Sequence, residues 1–469
     1  MTKHEVDTSA LSFDITWITL LSIVMFSIII ANPGYFNHDE LQKLDHVRRY
    51  GLIDYWAKYV TVAPTQHFGT PVRPFSFFIQ GVLALLMENY PVFVHMIDVL
   101  THAAVAVLLY RLSIQFGCTK TLARSIAFVF IINPLAMLAT GWTAALMDRW
   151  YLLFGLLALS SAERFILGRK NNIALMMVFI WASLAILSKE TAVVLPGLML
   201  IIFIAEPNTI KCRRYWIATV VWCAPILLFM IYRLPALLAS FGNPQVTAYN
   251  ASISNIPEGV LVYLSYPFLP FLNEAVNWVF IPTSLVYVAA GAHVLLSLCL
   301  VRIAGYKTII FYWFFYFLFI FPVLIIPNKS AHYLYGSSLV LSVATAFLLH
   351  QSWDRRFICK AVGVVSFSIL SLHSIMLQLY VYSIGACMNR VLISTEAAYL
   401  ANGRPYAIDF QAEPGSLDYI LYRTYTGREQ IGDHYPVKLT VSKWGERNRP
   451  DSLSLVMDKQ CLVYPKIDK

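Results

Sequence analysis

The chain has 469 residues, of which 58% are hydrophobic and 13% charged. A soluble domain carries about 25% charged residues, so this balance excludes a soluble enzyme, a disordered chain and a small disulfide scaffold. The net charge of +9 sits in short loops between apolar blocks. It reads as a topology signal, not as a footprint for nucleic acid.

Apolar blocks about 20 residues long mark a polytopic membrane protein. They predict eleven spans, near 15–32, 93–113, 121–140, 149–167, 173–189, 191–205, 215–233, 284–302, 308–326, 333–350 and 361–385. No small-residue cleavage motif follows the first block, which is expected to stay as an anchor. The basic connections 164–172, 206–214, 302–307 and 355–360 fall on one side under this count, the cytoplasmic side. The N-terminus is then cytoplasmic and the C-terminus extracytoplasmic. Segment 257–271, interrupted by Pro267 and Pro270, is expected to be re-entrant or to lie on the outer surface. The expected fold is therefore an all-α polytopic membrane domain over 1–385. A small extracytoplasmic α/β or β-rich unit follows over 386–469, with strands near 437–441 and 453–457.

The first outer loop opens with Asn37-His38-Asp39-Glu40. Such adjacent carboxylates are either solvated loop charges or a catalytic or metal-binding pair. Residues 43–61 predict one amphipathic helix in the interface plane, and Arg73-Pro74 opens a second helix over 75–87. A carboxylate pair at the water–lipid boundary beside a cation suits a lipid-linked substrate. The carboxylate can take a proton from an attacking hydroxyl, and the cation can stabilise a phosphate leaving group.

Further along, charged residues gather at span ends on the same side. Asp148 opens the fourth span, where an ion pair with Arg149 is the alternative to a functional role. Lys189 and Glu190 follow the fifth span and either neutralise each other or face the site. His332 and Tyr333 open the tenth. Asp98 and His102 stand one helical turn apart and are read as a structural pair.

The order of these residues resembles a known family. Asp39-Glu40, Arg73-Pro74, Ile132-Asn133-Pro134, Trp142-x-Ala144-(x)3-Asp148, Leu187-Ser188-Lys189-Glu190-Thr191 and His332-Tyr333-Leu334-Tyr335 are similar to the membrane part of the transmembrane-and-tetratricopeptide O-mannosyltransferases. These belong to the GT-C glycosyltransferases. The chain departs from the family's Gly-Arg-Ala-Asp at Ala145-Leu146-Met147-Asp148, and no tetratricopeptide repeats follow. The size and tail resemble, more weakly, bacterial and phage O-antigen glucosyltransferases.

The resemblance implies an integral membrane enzyme moving a hexose, glucose or mannose, from a polyprenyl-phosphate donor to an extracytoplasmic glycan or lipid-linked acceptor such as O-antigen. The implied location is the bacterial inner membrane with the site facing the periplasm. Asp39 would be the general base and Glu40 would orient the acceptor or a metal. Arg73, Lys189 and His332 would surround the donor phosphate, Asp148 would position acceptor or base, and Glu190, Tyr333 and Tyr335 would support them. The displacement would be single and inverting. Metal dependence stays open, a divalent ion being one option. Protein O-mannosyl transfer, lipid A glycosylation and lipid-sugar flipping are the alternatives.

The seven cysteines form no CxxC pair and no zinc pattern. Cys118, Cys212 and Cys359 fall on the cytoplasmic side and Cys223 and Cys299 within spans. Cys387 and Cys461 are left in the compartment that permits disulfides, and a bridge between them is expected.

Overall fold

In a computed structural model the protein is described over residues 8–60, 72–168, 172–240, 252–269, 283–445 and 452–466. The first described helices are α1 (Thr8–Met25), α2 (Ser27–Ile30), α3 (His38–Tyr50), α4 (Leu52–Val60) and α5 (Pro74–Met87). The bundle continues with α6 (Pro91–Gln115), α7 (Lys120–Ile131), α8 (Pro134–Gly141), α9 (Leu146–Ile166), α10 (Asn172–Ser188) and α11 (Met199–Ala205). Then come α12 (Arg213–Ser240), α13 (Ile256–Ser265), α14 (Thr283–Ala304), α15 (Lys307–Leu324), α16 (Tyr335–Leu349) and α17 (Trp353–Ala401). The C-terminal unit holds β1 (Ala407–Ala412), α18 (Tyr419–Tyr425), β2 (Lys438–Val441), β3 (Leu453–Met457) and β4 (Val463–Pro465).

Six described helices are long and apolar enough to cross a membrane, or seven if α7 and α8, bent by 55°, form one span. The eleven expected blocks are all helical, but several are shortened or interrupted. Pro134 opens a new helix after α7, because proline removes a backbone donor. Pro196 lies in the 3-10 stretch Glu190–Leu198 that precedes α11. Helix α9 carries Asp148, Arg149, Glu163 and Arg164 within an otherwise apolar run. The expected re-entrant segment is the ten-residue helix α13, too short to cross. Tyr316 donates to its Tyr263 carbonyl at 2.8 Å, and His373 meets the carbonyl of Pro267, just beyond it, at 3.2 Å.

The single interfacial helix expected over 43–61 is instead two helices, α3 and α4. They break at Gly51, whose φ of 81° lies where glycine is favoured. Helix α3 begins five residues earlier than expected because Asn37 and Glu40 form a capping box there. Nor does α3 lie free on a membrane surface, since it is sandwiched between α5 and the C-terminal unit.

Helix α17 runs well past residue 385. Its 46-residue apolar-rich stretch is roughly 69 Å long at 1.5 Å per residue, about twice the hydrocarbon thickness. The excess is a stalk for the C-terminal sheet. That sheet has the order β2-β1-β3-β4, with β1 parallel to both β2 and β3 and β4 antiparallel to β3. Helix α18 covers one face, where Tyr425 stacks on Phe410 with centroids 4.1 Å apart. Cys387 on the stalk is bonded to Cys461, with Cα atoms 5.4 Å apart.

The unit also grips α3. Arg428 forms a bidentate pair with buried Asp45 at 2.7 and 2.8 Å, and Gln42 donates to the Thr426 carbonyl at 2.7 Å. Close approach fixes the entry to α3: a side chain at Gly385 of α17 would overlap Asn32. The basic connections pack in pairs against neighbouring segments. Arg214 lies over the Phe165 ring, and Arg356 donates to the Ile303 carbonyl at 3.3 Å.

Candidate functional site

A cavity of about 510 Å³ opens where α3, α5, the turn before α9 and the start of α16 meet. The turn 142–145 is its floor. The Ala144 N–H donates to Glu40 Oε1 at 3.3 Å, and Gln80 of α5 donates to the Ala144 carbonyl at 2.7 Å. Ser76, one turn before Gln80, donates to the Ser188 carbonyl at 2.9 Å and so ties α5 to the end of α10.

The two adjacent carboxylates of α3 part company. Glu40 is buried and faces inward, where Oε2 also accepts from Phe36 N–H at 2.7 Å and Asn37 N–H at 3.1 Å. Burial pushes its carboxyl up to about 7, against the pull of those two donors. Asp39 faces the cavity, half-exposed, with His38 Nε2 3.1 Å from its Oδ1. At helical spacing the same face carries Gln42, Lys43 and His46, all lining the cavity.

Of the other expected site residues, Arg73, His332 and Tyr333 line the cavity. Arg73 Nε donates to Glu190 Oε2 at 2.6 Å, and Glu190 Oε1 also accepts from Val72 N–H at 3.1 Å. Asp148 and Lys189 are both buried behind the cavity wall and bonded to each other. Lys189 lies 4.7 Å from the Tyr333 ring centroid. Asp148 Oδ2 is buried without a hydrogen-bond partner, 4.0 Å from His332 Nε2. His332 Nδ1 meets Ser330 Oγ at 2.6 Å, and its ring packs edge-on against Trp142 at 5.0 Å.

The pairings that the sequence left open are decided here. Lys189 and Glu190 do not neutralise each other; each takes a partner from another segment. Arg149 does not pair with Asp148, because it is turned into the bundle to Asp98 and the Ala139 carbonyl. Asp98 and His102 do not pair either. Asp98 also accepts from Thr143 at 2.6 Å, while His102 Nδ1 meets the Tyr335 hydroxyl at 2.9 Å. Tyr335 is thereby part of the core, away from the cavity.

Among the cavity residues not singled out from the sequence as site residues are Lys43, His46, Trp142 and Arg423. Lys43 and His46 share the Asp39 face at i+4 and i+7, a signal present in the sequence but absorbed into an interfacial helix. Trp142 stood in the quoted motif, and its buried indole N–H has no hydrogen-bond partner. Arg423 comes from α18, and nothing local in sequence connects it to α3. It donates to the Phe36 carbonyl at 3.1 Å and covers the Phe36 ring at 4.9 Å.

Among the described residues no three His, Cys, Asp or Glu side chains converge. Glu40 is committed to backbone N–H groups and Asp148 to Lys189.

A solved structure shares this architecture. ArnT from Cupriavidus metallidurans, in a structure bound to undecaprenyl phosphate, is 12% identical. The match covers 94% of this chain and 92% of that one, with a TM-score of 0.50. The chain has the GT-C fold. The mycobacterial arabinofuranosyltransferase AftD matches 86% of this chain and 31% of its own, at 14% identity and a TM-score of 0.40. No family model and no curated protein matches the sequence. The cavity lies where the C-terminal unit docks on α3, with Arg423 of α18 in its lining.

Proposed function

We propose that the protein is a membrane glycosyltransferase that moves a hexose from a polyprenyl-phosphate donor to a hydroxyl of an extracytoplasmic glycan, with the cavity facing the periplasm. The reading is carried by one observation: Asp39 is the one carboxylate among the described residues that lines a cavity otherwise rich in cations. The GT-C fold, and the undecaprenyl phosphate bound to ArnT, support a lipid phosphate as the donor's anionic end.

Asp39 takes the proton from the acceptor hydroxyl. The oxygen attacks the anomeric carbon from the face opposite the phosphate. The carbon–oxygen bond to phosphate breaks, and the polyprenyl phosphate leaves with the electron pair. Arg73 and His332 meet the charge that develops on it. Lys189 stands outside the cavity lining, paired with Asp148 behind His332. Trp142 and Tyr333 give the sugar an aromatic wall, and the free indole N–H can donate to a hydroxyl. Glu40 holds α3 to Ala144 and so sets where Asp39 stands. The step is one inverting displacement, with Asp39 acting as base and forming no covalent bond to the sugar. O-antigen on its lipid carrier is the acceptor we favour, with glucose or mannose as the sugar.

The deciding experiment incubates purified protein with radiolabelled polyprenyl-phosphate glucose or mannose and envelope lipid fractions. Label moving to an acceptor, lost in Asp39→Asn, is the expected result. Donor bound without any transfer to any fraction overturns the assignment.

A further inference from the structure

The cavity's cations are unequally supplied with counter-charge. Arg73 is paired with Glu190, and behind the wall Lys189 is paired with Asp148. Lys43 lines the cavity and has no hydrogen bond or ion pair with any described residue. It stands one turn beyond Asp39 on α3, which puts their Cβ atoms about 5–6 Å apart. Burial lowers its ammonium to about 8, with Arg73 acting in the same direction and Asp39 and Glu40 against it.

A second cation reaches the same cavity from the C-terminal unit. Arg423 of α18 lines it, fixed by the Phe36 carbonyl at 3.1 Å. Helix α18 is kept against α3 by the bond from Gln42 to the Thr426 carbonyl. Lys43 and Arg423 thus reach one cavity from two separate units of the chain. Arg73, by contrast, stands at the start of α5 and is held by Glu190.

We infer that Lys43 and Arg423 form a second anion subsite, which takes an acidic group, phosphate or carboxylate, carried by the acceptor about one helical turn from its reacting hydroxyl. The inference deepens the proposed function, because it takes Asp39 as the base that faces the acceptor. A group bound at Lys43 then belongs to the molecule whose hydroxyl lies at Asp39. The acceptor class is an acidic glycan or a glycan carrying phosphate, and a neutral saccharide leaves Lys43 without its counter-charge.

The test uses the full chain in nanodiscs, first saturated with undecaprenyl phosphate and then titrated with glucose 6-phosphate, glucuronate or glucose. Saturable binding of the two anions, with none of glucose, is expected on top of the bound lipid. Lys43→Gln and Arg423→Gln each weaken it about 10- to 150-fold, the loss of one charge-assisted contact, and Arg423→Lys restores much of it. Undecaprenyl phosphate affinity is unchanged in Lys43→Gln and reduced in Arg73→Gln. Competition between glucose 6-phosphate and undecaprenyl phosphate for one site overturns the inference, as does wild-type anion binding by Lys43→Gln. A protein that takes the soluble anions through Lys43 but never binds undecaprenyl phosphate keeps the subsite and removes the donor reading.

Discussion

Lys189 is bonded to Asp148 and not to Glu190, its neighbour in sequence. Glu190 takes Arg73 in turn. The two ion pairs therefore cross-link segments instead of closing on themselves. One joins the start of α9 to the end of α10, and the other joins the start of α5 to the 3-10 stretch after α10. Both back the same wall of the cavity, with His332 4.0 Å from the free Asp148 oxygen.

That arrangement predicts an asymmetric response to mutation. Lys189→Ala leaves Asp148 buried and uncompensated, and breaking such a pair costs about 3–5 kcal/mol. Removing both charges together, in Lys189→Met with Asp148→Asn, recovers most of that loss because neither group is then stranded. Unfolding in detergent, followed by denaturant titration, measures both. A Lys189→Ala variant as stable as wild type shows that the pair does not hold the wall.

Asp39→Asn keeps the size of the side chain and one acceptor oxygen but cannot take a proton. Turnover falls about 10²–10⁴-fold, the usual loss of a general base, while donor Kd stays within about a factor of two. The sharp control is Glu40→Gln, since Glu40 does not line the cavity and acts by positioning α3. Its kcat falls less than that of Asp39→Asn. Equal activity of Asp39→Asn and wild type would remove Asp39 from the chemistry.

The sequence showed the membrane class, the helical blocks and the strands at 438–441 and 453–457, because hydrophobic periodicity and run length depend on neighbours only. The adjacency of Asp39 and Glu40 was visible, but their opposite directions were not. Which one faces the cavity depends on the Ala144 N–H, 104 residues away. The partners of Lys189 and Glu190 were hidden for the same reason: a contact between segments outcompetes a contact between neighbours. Lys43 was visible as a charge and misjudged as surface, since an amphipathic pattern does not say whether water, lipid or a second domain covers the polar face. Arg423 had no local signal at all.

Glu40 also makes a pH prediction. Burial raises its folded pKa to about 7 from an unfolded value near 4.5. The folded state then holds the proton more tightly than the unfolded chain between those values. Stability from this group is present below about pH 4.5 and is lost as pH rises through about 7. The melting temperature of wild type should therefore fall between pH 5 and pH 8 more steeply than that of Glu40→Gln, which has no proton to lose. Parallel curves for the two proteins would show that Glu40 does not titrate in this range.

Topology gives a simple check on where the cavity faces. A reporter active only outside the cytoplasm, fused after Lys469, should be active. A cytoplasmic reporter at the same place should be silent. The reverse pattern would turn the cavity toward the cytoplasm and rule out a periplasmic acceptor.

The last prediction concerns the grip of the C-terminal unit on α3. Arg428 and Asp45 are both buried and paired in a fork, the geometry in which arginine is hardest to replace. Arg428→Ala strands the Asp45 carboxylate and should lower stability by about 3–5 kcal/mol. Arg428→Lys retains the charge but not the fork, and should fall between Arg428→Ala and wild type. The covalent link acts at the other side of the unit, where Cys387 and Cys461 close a separation of 74 residues. A loop of that length contributes about 4 kcal/mol in the chain-entropy model. Reduction alone should therefore leave the unit docked through Arg428. Arg428→Ala alone should leave it tethered by the disulfide. Only the two together should release it, exposing the 402–466 region to protease while the bundle stays folded. Because Arg423 reaches the cavity from this unit, release should also abolish transfer without changing donor binding at Arg73. Limited proteolysis under reducing and non-reducing conditions reads the first effect, and donor Kd beside turnover reads the second. Release by reduction alone would show that the Arg428–Asp45 fork does not hold the unit.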